Sequence, residues 1–412
     1  MAKKQTETYA DIIISGAGAA GLTLAVLLGK AGLKVCVIDP ADAKTLSNDT
    51  KTGRTVALMN ASLNILREAE VWPRLESISN PLSVMQLIDV SLRKSDPVIE
   101  PFEASDIGEK HYGFNVPNGP LRAALYEAAL LDANVTLFLE QSLNDYTVQG
   151  HQVHVTTTNG ALIKAQLLCG ADGRNSAVRE IAGIGVDKRS YEQSAITCVV
   201  NHSKSHNDTS SEFHREHGPL AVVPLPGNQS SVVWVNKTNR ADEIMAMADN
   251  DFEQTLVDET QNILGAMSLE VKPQCWPLSS IKAKSLVAER VALVAEAAHV
   301  MSPITAQGLN LSLRDVAALA EIVIDGARVG QDIGNPVTLQ NYEKRRHFDI
   351  ETRVFGVDTM NRVVSQDIDG IKNLRHIGLK TLGYLPPLKR FAMRVGLAPA
   401  IDAGRLSRGE AL

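Results

Sequence analysis

The sequence lacks several features that would place it in a specialised class of protein. It contains no run of about 18 or more apolar residues, so we expect no membrane-spanning helix. The opening residues MAKKQTETYAD have no apolar signal core, which predicts a cytoplasmic protein. The net charge is −6, and without a basic excess we expect no nucleic-acid partner.

Cysteine is scarce as well. The chain has four cysteines, Cys36, Cys169, Cys198 and Cys275, with no CxxC pair and no cluster of metal-ligating spacing. Two of them, Cys36 and Cys169, lie inside apolar runs that resemble strands. This distribution favours reduced, buried thiols over disulfides, and it predicts no metal site.

The length and composition indicate a soluble globular protein with more than one domain. A chain of 412 residues is longer than one compact core usually supports. Its hydrophobic content of 44% and charged content of 21% are ordinary values. We therefore expect two closely packed domains.

The strongest motif lies in residues 10–39, where three glycines follow GxGxxG spacing. A β-branched run precedes them, an apolar helix-like run follows, and a second strand leads to Asp39. Such a βαβ unit holds a dinucleotide, because glycines permit a tight turn and a close approach to the pyrophosphate. The acid about twenty residues on can accept hydrogen bonds from the ribose. The predicted contacts are Gly16, Gly18, Ala20, Gly21 and Asp39.

Two further segments extend the nucleotide-binding pattern. Asp172 and Gly173 follow an apolar strand and precede a helix containing Arg179. Farther on, a buried strand is predicted to end at Glu296, and Gly308 opens an amphipathic helix. The N terminus of that helix would present free amides to an anion, which suits the negative charge of a reduced flavin.

With these three segments together, the chain resembles the flavoprotein aromatic hydroxylases, most closely the ubiquinone-biosynthesis hydroxylase family. The resemblance covers nearly the whole chain. The matching motifs are Gly16–Gly21, Ala171–Gly173 with Arg179, Ala295–His299, Pro303, Ala306–Asn310 and Asp315–Leu319. Further family-like text occurs at Arg54–Ser62, Tyr112–Leu125, Tyr191–Val200, Gly218–Pro226 and Tyr342–Asp349.

The resemblance implies an α/β fold of three parts. The first is a Rossmann-like FAD-binding domain of the glutathione-reductase type, formed by residues 1–80, 112–185 and 285–330. The second is an inserted β-sheet substrate domain, formed by residues 81–111 and 186–284. The third is a helical C-terminal region, residues 331–412.

The resemblance also implies the remaining cofactor contacts. They are Arg54, Asn118 (with Arg122 as the competing choice), Asp172, Gly173, Glu296, Pro303, Gly308, Leu309 and Asn310. His299 and Pro303 are candidates for a place near the flavin, and no catalytic nucleophile is expected. The sequence departs from the family where Ala295-Glu296 replaces Gly-Asp and Ala306 replaces a glycine.

The implied activity is that of an FAD-dependent monooxygenase. In the family, NAD(P)H reduces FAD, and O₂ then gives a flavin C4a-hydroperoxide that hydroxylates an aromatic substrate, here a prenylated phenol. The sequence has no second GxGxxG in a βαβ setting, so we expect no separate NAD(P)H domain. Two alternatives are a hydroxylase of a small soluble phenol and a degenerate FAD-binding accessory subunit of a quinone-biosynthesis complex.

Two stretches near the C terminus carry basic residues with different expected roles. Arg345 and Arg346 are expected to form ion pairs on a helix surface. Residues 371–400 hold six Lys or Arg and no acid, interleaved with bulky apolar residues. This composition suits peripheral docking on the inner membrane face or on a quinone-biosynthesis complex, and equally a helical flap with a solvated basic side.

Overall fold

The computed structural model describes residues 7–365, 369–397 and 404–412, except 49, 51, 52, 93–95 and 216. The strands are Glu7–Tyr9 (β1), Ile12–Ser15 (β2), Val35–Ile38 (β3), Thr55–Met59 (β4), Asn80–Leu82 (β5), Val84–Asp89 (β6), Val98–Glu103 (β7), Gly113–Pro117 (β8), Val135–Phe138 (β9), Leu143–Gln149 (β10), Gln152–Thr157 (β11), Leu162–Ala165 (β12), Leu167–Gly170 (β13), Val186–His202 (β14), Thr209–His214 (β15), Leu220–Leu225 (β16), Gln229–Lys237 (β17), Met267–Ala283 (β18), Val287–Ala288 (β19), Val291–Leu293 (β20) and His299–Val300 (β21).

Helices occupy the connections and most of the C-terminal part. They are Ala19–Lys30 (α1), Ala43–Leu46 (α2), Asn60–Glu68 (α3), Trp72–Leu75 (α4), Asn118–Leu131 (α5), Ala177–Ile181 (α6), Thr238–Met245 (α7), Asp249–Glu259 (α8), Gly308–Arg328 (α9), Pro336–Ser365 (α10), Asp369–Tyr384 (α11), Pro386–Leu397 (α12) and Gly404–Arg408 (α13). Within the described part of the chain, none of these helices combines the length and apolar character needed to cross a membrane.

A six-stranded sheet forms the centre of the nucleotide-binding part. Its order is β19-β20-β13-β2-β3-β9, and every strand except β19 runs parallel. β2, β3, β13 and β20 are buried throughout, as their short apolar runs predict. Because the strands are parallel, their carboxyl ends meet at one edge, where ligands bind in such sheets.

An eight-stranded sheet forms the second layer, in the order β21-β18-β14-β17-β16-β15-β6-β7. Its outer face packs on α7 and α8 through a core that includes Ile196, Trp234, Ile244 and Phe252. The sequence pattern predicts the sheet but not these two helices. Its inner face carries the alternate residues of β14, β17 and β16 and faces β4 and β8.

One strand end differs from the prediction. β20 ends at Leu293, and Ala295–Ala297 forms a single 3₁₀ turn, so the strand does not reach Glu296. The physical reason is the backbone of Ala295, whose φ of +57° lies in the left-handed region and turns the chain out of the sheet. The predicted domain boundaries stay a prediction.

Candidate cofactor and active site

The glycine-rich turn after β2 has the close contacts that its spacing predicts. Gly16 has φ +111°, and a Cβ there would lie 2.3 Å from the carbonyl oxygen of Ala171. A Cβ on Gly21 would lie 2.0 Å from the carbonyl oxygen of Gly16, and Ala20 is buried beside it. A Cβ on Gly18 would meet no described atom within 4 Å. The space at Gly18 is therefore open to a ligand, as a pyrophosphate contact requires.

Asp39 follows β3 and braces this turn. Its Oδ2 accepts a hydrogen bond from the backbone N–H of Ala17 at 2.6 Å, and its Oδ1 accepts one from Ala41 at 2.8 Å. A carboxylate oxygen has two lone pairs, so each oxygen retains one for a further donor. Asp39 can therefore hold the turn and accept ribose hydroxyls at the same time.

The second motif lies beside the first and reaches the third. Asp172 Oδ2 accepts a hydrogen bond from the N–H of Val178 at 3.1 Å, and Gly173 turns the chain with φ +82°. Arg179 donates to the carbonyl oxygen of Ala297 at 2.9 Å. The guanidinium of Arg179 thus links the loops after β13 and β20.

The predicted cofactor contacts Arg54 and Asn118 lie beside each other, just before β4 and at the start of α5. The guanidinium of Arg54 lies 5.3 Å above the ring of Trp276, a half-exposed residue that the sequence did not single out. The backbone N–H of Asn118 donates to the carbonyl oxygen of Arg54 at 3.1 Å. Arg122, the competing choice, donates to the carbonyl oxygen of Thr45 at 2.6 Å. Both choices lie in the first turns of α5.

The third motif contains both alanines that replace family glycines. Ala295 has φ +57° and Ala306 has φ +51°, two left-handed positions where glycine is the unstrained residue. The half-exposed carboxylate of Glu296 lies 3.9 Å from Arg174, a weak ion pair, and Pro303 is exposed. The departures from the family thus fall where the backbone turns sharply.

The N terminus of α9 begins at Gly308 and Leu309, and no side chain caps it. Asn310 does not point a free side chain to a ligand. Its Oδ1 accepts from the N–H of Met59 at 2.9 Å and the hydroxyl of Ser62 at 2.7 Å, and its Nδ2 donates to two carbonyl oxygens. With all four positions occupied, only its backbone amide is left for a cofactor.

A buried network of charged side chains is hydrogen-bonded to the turn at Ala295. Asp315 accepts hydrogen bonds from His299 Nε2 at 2.6 Å, from the N–H of Ala295 at 3.0 Å and from Arg346 Nε at 2.7 Å. Burial alone would raise the pKa of Asp315, but the charges and hydrogen bonds of His299 and Arg346 outweigh it and lower the pKa. His299 is thus tied to the turn, and the prediction that Arg346 is a surface residue is wrong, because it is 2% exposed.

The inner face of the eight-stranded sheet contacts the strands β4 and β8, which adjoin Arg54 and Asn118 in the chain. The hydroxyl of Thr55 donates to the hydroxyl of Ser231 at 2.8 Å, and Asn115 Nδ2 donates to the carbonyl oxygen of Pro224 at 2.9 Å. Thr197 lies on the same face, and its buried hydroxyl has no partner among the described residues. The three-stranded sheet β4-β8-β5 therefore packs against the inner face of the eight-stranded sheet.

Several buried polar atoms in or near the predicted cofactor contacts have no protein partner among the residues that the structure describes. In the described part of the chain, the atoms without a hydrogen-bond partner include Asp172 Oδ1, Asn118 Oδ1, Arg122 Nε and Ser302 Oγ. Buried polar groups are normally satisfied, so such a set along the predicted path indicates a polar ligand. The open turn at Gly18 and the uncapped N terminus of α9 add contacts suited to a pyrophosphate and a flavin. The residues present fit FAD.

Comparison with known proteins agrees with this geometry. A family described as FAD binding domain matches residues 9–354. The ubiquinone hydroxylase UbiL of Rhodospirillum rubrum is 32% identical, over 94% of this chain and 89% of its own length. The 3-demethoxyubiquinol 3-hydroxylase of Escherichia coli is 28% identical, over 95% and 99% respectively.

Solved structures show the same fold at low identity. The p-nitrophenol 4-monooxygenase PnpA of Pseudomonas putida has a TM-score of 0.78 at 16% identity, covering 96% of this chain and 100% of its own. Klebsiella pneumoniae HpxO, solved with FAD and uric acid, has a TM-score of 0.76 at 17% identity, covering 94% and 96%.

The chain is an FAD-dependent monooxygenase, and FAD is its cofactor. Within that class it belongs to the family of ubiquinone-biosynthesis hydroxylases, which confirms the family that the sequence motifs predict.

Proposed function

We propose that this protein hydroxylates the aromatic ring of a polyprenylated ubiquinone precursor, using NAD(P)H and O₂. The observation that carries the proposal is the match to ubiquinone hydroxylases over nearly the full length, with the three motifs gathered at one sheet edge. The chemistry belongs to FAD, which, when bound, supplies electron transfer and oxygen activation. The protein supplies binding, orientation and exclusion of water.

Each of the three motifs is assigned to a different part of the cofactor. The turn from Gly16 to Gly21 and the N terminus of α1 would hold the pyrophosphate, and Asp39 would hold the adenosine ribose. The N terminus of α9 offers a partial positive charge that would favour the anionic reduced form of a bound flavin. Arg179 and Asp315 fix the loops after β13 and β20 that would contact the cofactor.

The reductant is proposed to act at the same site. The sequence has no second GxGxxG in a βαβ setting, so a nicotinamide would approach the flavin transiently. The choice of substrate is then made by the inner face of the eight-stranded sheet. Residues such as Val233 and Ala221, which pair across β17 and β16, offer an apolar wall to an aromatic ring.

The substrate class is tested with two phenols that share one ring. We expect purified, FAD-loaded enzyme to hydroxylate the prenylated phenol with a kcat/KM at least tenfold above that of the unprenylated ring. Equal or reversed values would support the small-phenol alternative instead. Purified protein without the yellow colour of oxidised flavin, and without activity after FAD is added, would support the accessory-subunit alternative.

We also propose a peripheral location, at the inner membrane face or in a quinone-biosynthesis complex. A polyprenylated substrate resides in the bilayer, so its hydroxylase must collect it there.

A further inference from the structure

The helical hairpin of α11 and α12 has an inner side that belongs to the protein core. Leu379 and Met393 pack with Phe102 of β7 in a separate apolar cluster. Lys389 also belongs to this side, since its Nζ lies 2.6 Å from Glu100 Oε1 and 5.1 Å above the ring of Phe102. Lys372 is buried as well, at 6% exposure, so two of the six basic residues of 371–400 do not face outward.

The outer side of the hairpin is both apolar and basic. We call it the outer hairpin face. Its large apolar side chains are Ile377 (60% exposed), Tyr384 (83%), Leu385 (47%), Leu388 (45%) and Phe391 (65%).

Three exposed basic residues, Lys380, Arg390 and Arg394, lie on the same two helices. The sequence from 371 to 400 contains no acid. Residues 398–400 and the side chains of Ile371, Leu374, Arg375, Val395 and Leu397 lie outside the described part.

The hairpin lies close to the N terminus of α9. Its inner cluster includes Met59 and Leu87 as partly buried members. The backbone N–H of Met59 donates to Asn310 Oδ1 at 2.9 Å, and Asn310 is in the first turn of α9. One layer of apolar side chains therefore separates the hairpin from the residues that border the flavin site.

We propose that the outer hairpin face docks on an anionic phospholipid bilayer, so that a prenyl chain enters the protein beside α11. Charge complementarity favours a lipid surface, because every charged side chain that the structure describes on this face is positive and bulky apolar side chains stand between them. Since Tyr384 and Leu385 form the exposed bend of the hairpin, these side chains would enter the interface first. This inference rests on the proposed function for the identity of the chain that enters.

The test measures binding of the full-length, FAD-loaded protein to phosphatidylcholine vesicles with and without phosphatidylglycerol. We expect wild type to bind the anionic vesicles and to dissociate as salt is added. The variant Lys380→Glu/Arg390→Glu/Arg394→Glu should bind at least about 100-fold more weakly, since each basic residue contributes about fivefold.

A matched control changes the net charge equally elsewhere. Lys34→Glu/Lys188→Glu/Lys272→Glu reverses three exposed lysines outside the hairpin and should bind like wild type. Leu388→Ser/Phe391→Ser tests the apolar contribution, and it should weaken binding by a factor that salt does not change. An unchanged flavin spectrum in every variant shows that the fold is intact.

Three outcomes would overturn the docking surface. They are wild type that ignores anionic vesicles at low salt, a hairpin reversal that binds as tightly as wild type, and a control reversal that weakens binding equally. Vesicle binding is measured without turnover, so its failure is distinct from failure of the proposed function. Turnover of detergent-dispersed prenylated phenol by a protein that does not bind vesicles would retain the enzyme and reject the surface.

Discussion

Ala295 and Ala306 have left-handed backbone conformations at the two ends of the segment 295–306, which connects β20 to α9. An L-residue pays about 1–2 kcal/mol for this conformation, whereas glycine adopts it freely. Asp315 accepts the N–H of Ala295, and Asn310 donates to the carbonyl oxygen of Ala306. Buried hydrogen bonds therefore hold both turns against their strain.

Ala295→Gly should stabilise the protein. Glycine relieves the backbone strain but also increases the conformational entropy of the unfolded chain. The expected net gain in the free energy of unfolding is about 0.5–1 kcal/mol. Urea denaturation measures it. Ala297→Gly is the control, since Ala297 is buried and has no left-handed backbone, and it should destabilise. A loss of stability in Ala295→Gly would show that the left-handed turn is not strained.

Asp39→Ala should strip much of the FAD from the protein. The change removes the proposed ribose acceptor and the two hydrogen bonds that brace the glycine turn, a loss of roughly 1–3 kcal/mol in binding, or about 5- to 150-fold in Kd. Equilibrium titration of the apoprotein with FAD measures the change. Asp42→Ala, which removes only the cap of α2, should leave Kd unchanged. An unaltered Kd in Asp39→Ala would contradict the ribose assignment.

At the scale of elements, the carboxylate of Asp315 joins α9 and α10 to the segment 295–306. Asp315 on α9 binds His299, Ala295 and Arg346, and Arg346 on α10 also donates to Asp349 at 2.8 Å. Removing one member of a buried pair leaves the other charge without compensation, which costs about 3–5 kcal/mol. The network therefore stabilises the site as well as the helices.

This network predicts a pH dependence of stability. Burial opposes ionisation of Asp315, but its cationic partners hold its folded pKa below the ordinary 3.8. The unfolded state thus takes up the proton first, and the stabilisation is complete above that value and is lost as pH falls through the folded pKa. We expect the gap in unfolding free energy between wild type and Asp315→Asn to shrink below about pH 4.

Urea unfolding from pH 7 to pH 3 measures this gap. Asp325→Asn, on the exposed side of the same helix, should cost at most about 1 kcal/mol, because its ion pair with Arg405 is at the surface. A gap for Asp315→Asn that stays constant down to the lowest pH would show that the carboxylate is not the ionised centre of the network.

The local sequence correctly predicted those elements in which a glycine or an apolar run favours a single structure, such as a tight turn or a buried strand. The turn at Gly16, the Asp172-Gly173 turn and the start of α9 at Gly308 are confirmed as structural elements. The strand end at Glu296 was wrong, because an apolar run does not reveal a left-handed alanine. Arg346 was misplaced because charge spacing along a helix does not show which side a neighbouring helix covers.

At the scale of the whole molecule, the architecture rests on the six-stranded parallel sheet, the eight-stranded sheet and the hairpin of α11 and α12. The parallel sheet gathers three distant motifs at one edge, since its strand order brings β20, β13, β2 and β3 side by side. The eight-stranded sheet packs its inner face on β4 and β8, and the hairpin of α11 and α12 lies at its β7 border. None of these contacts between distant segments could be read from local sequence, because each depends on strand order.

Single-turnover oxidation under oxygen-18 gas is the direct test of ring hydroxylation by this protein. FAD-loaded protein, NAD(P)H and a prenylated phenol are mixed, and the product is analysed by mass spectrometry. We expect one oxygen-18 atom on the aromatic ring of the product, with product formation abolished when FAD is removed and restored when it is returned. Oxygen derived from water, or a ring left unmodified while FAD is bound and reduced, would contradict the proposed hydroxylation.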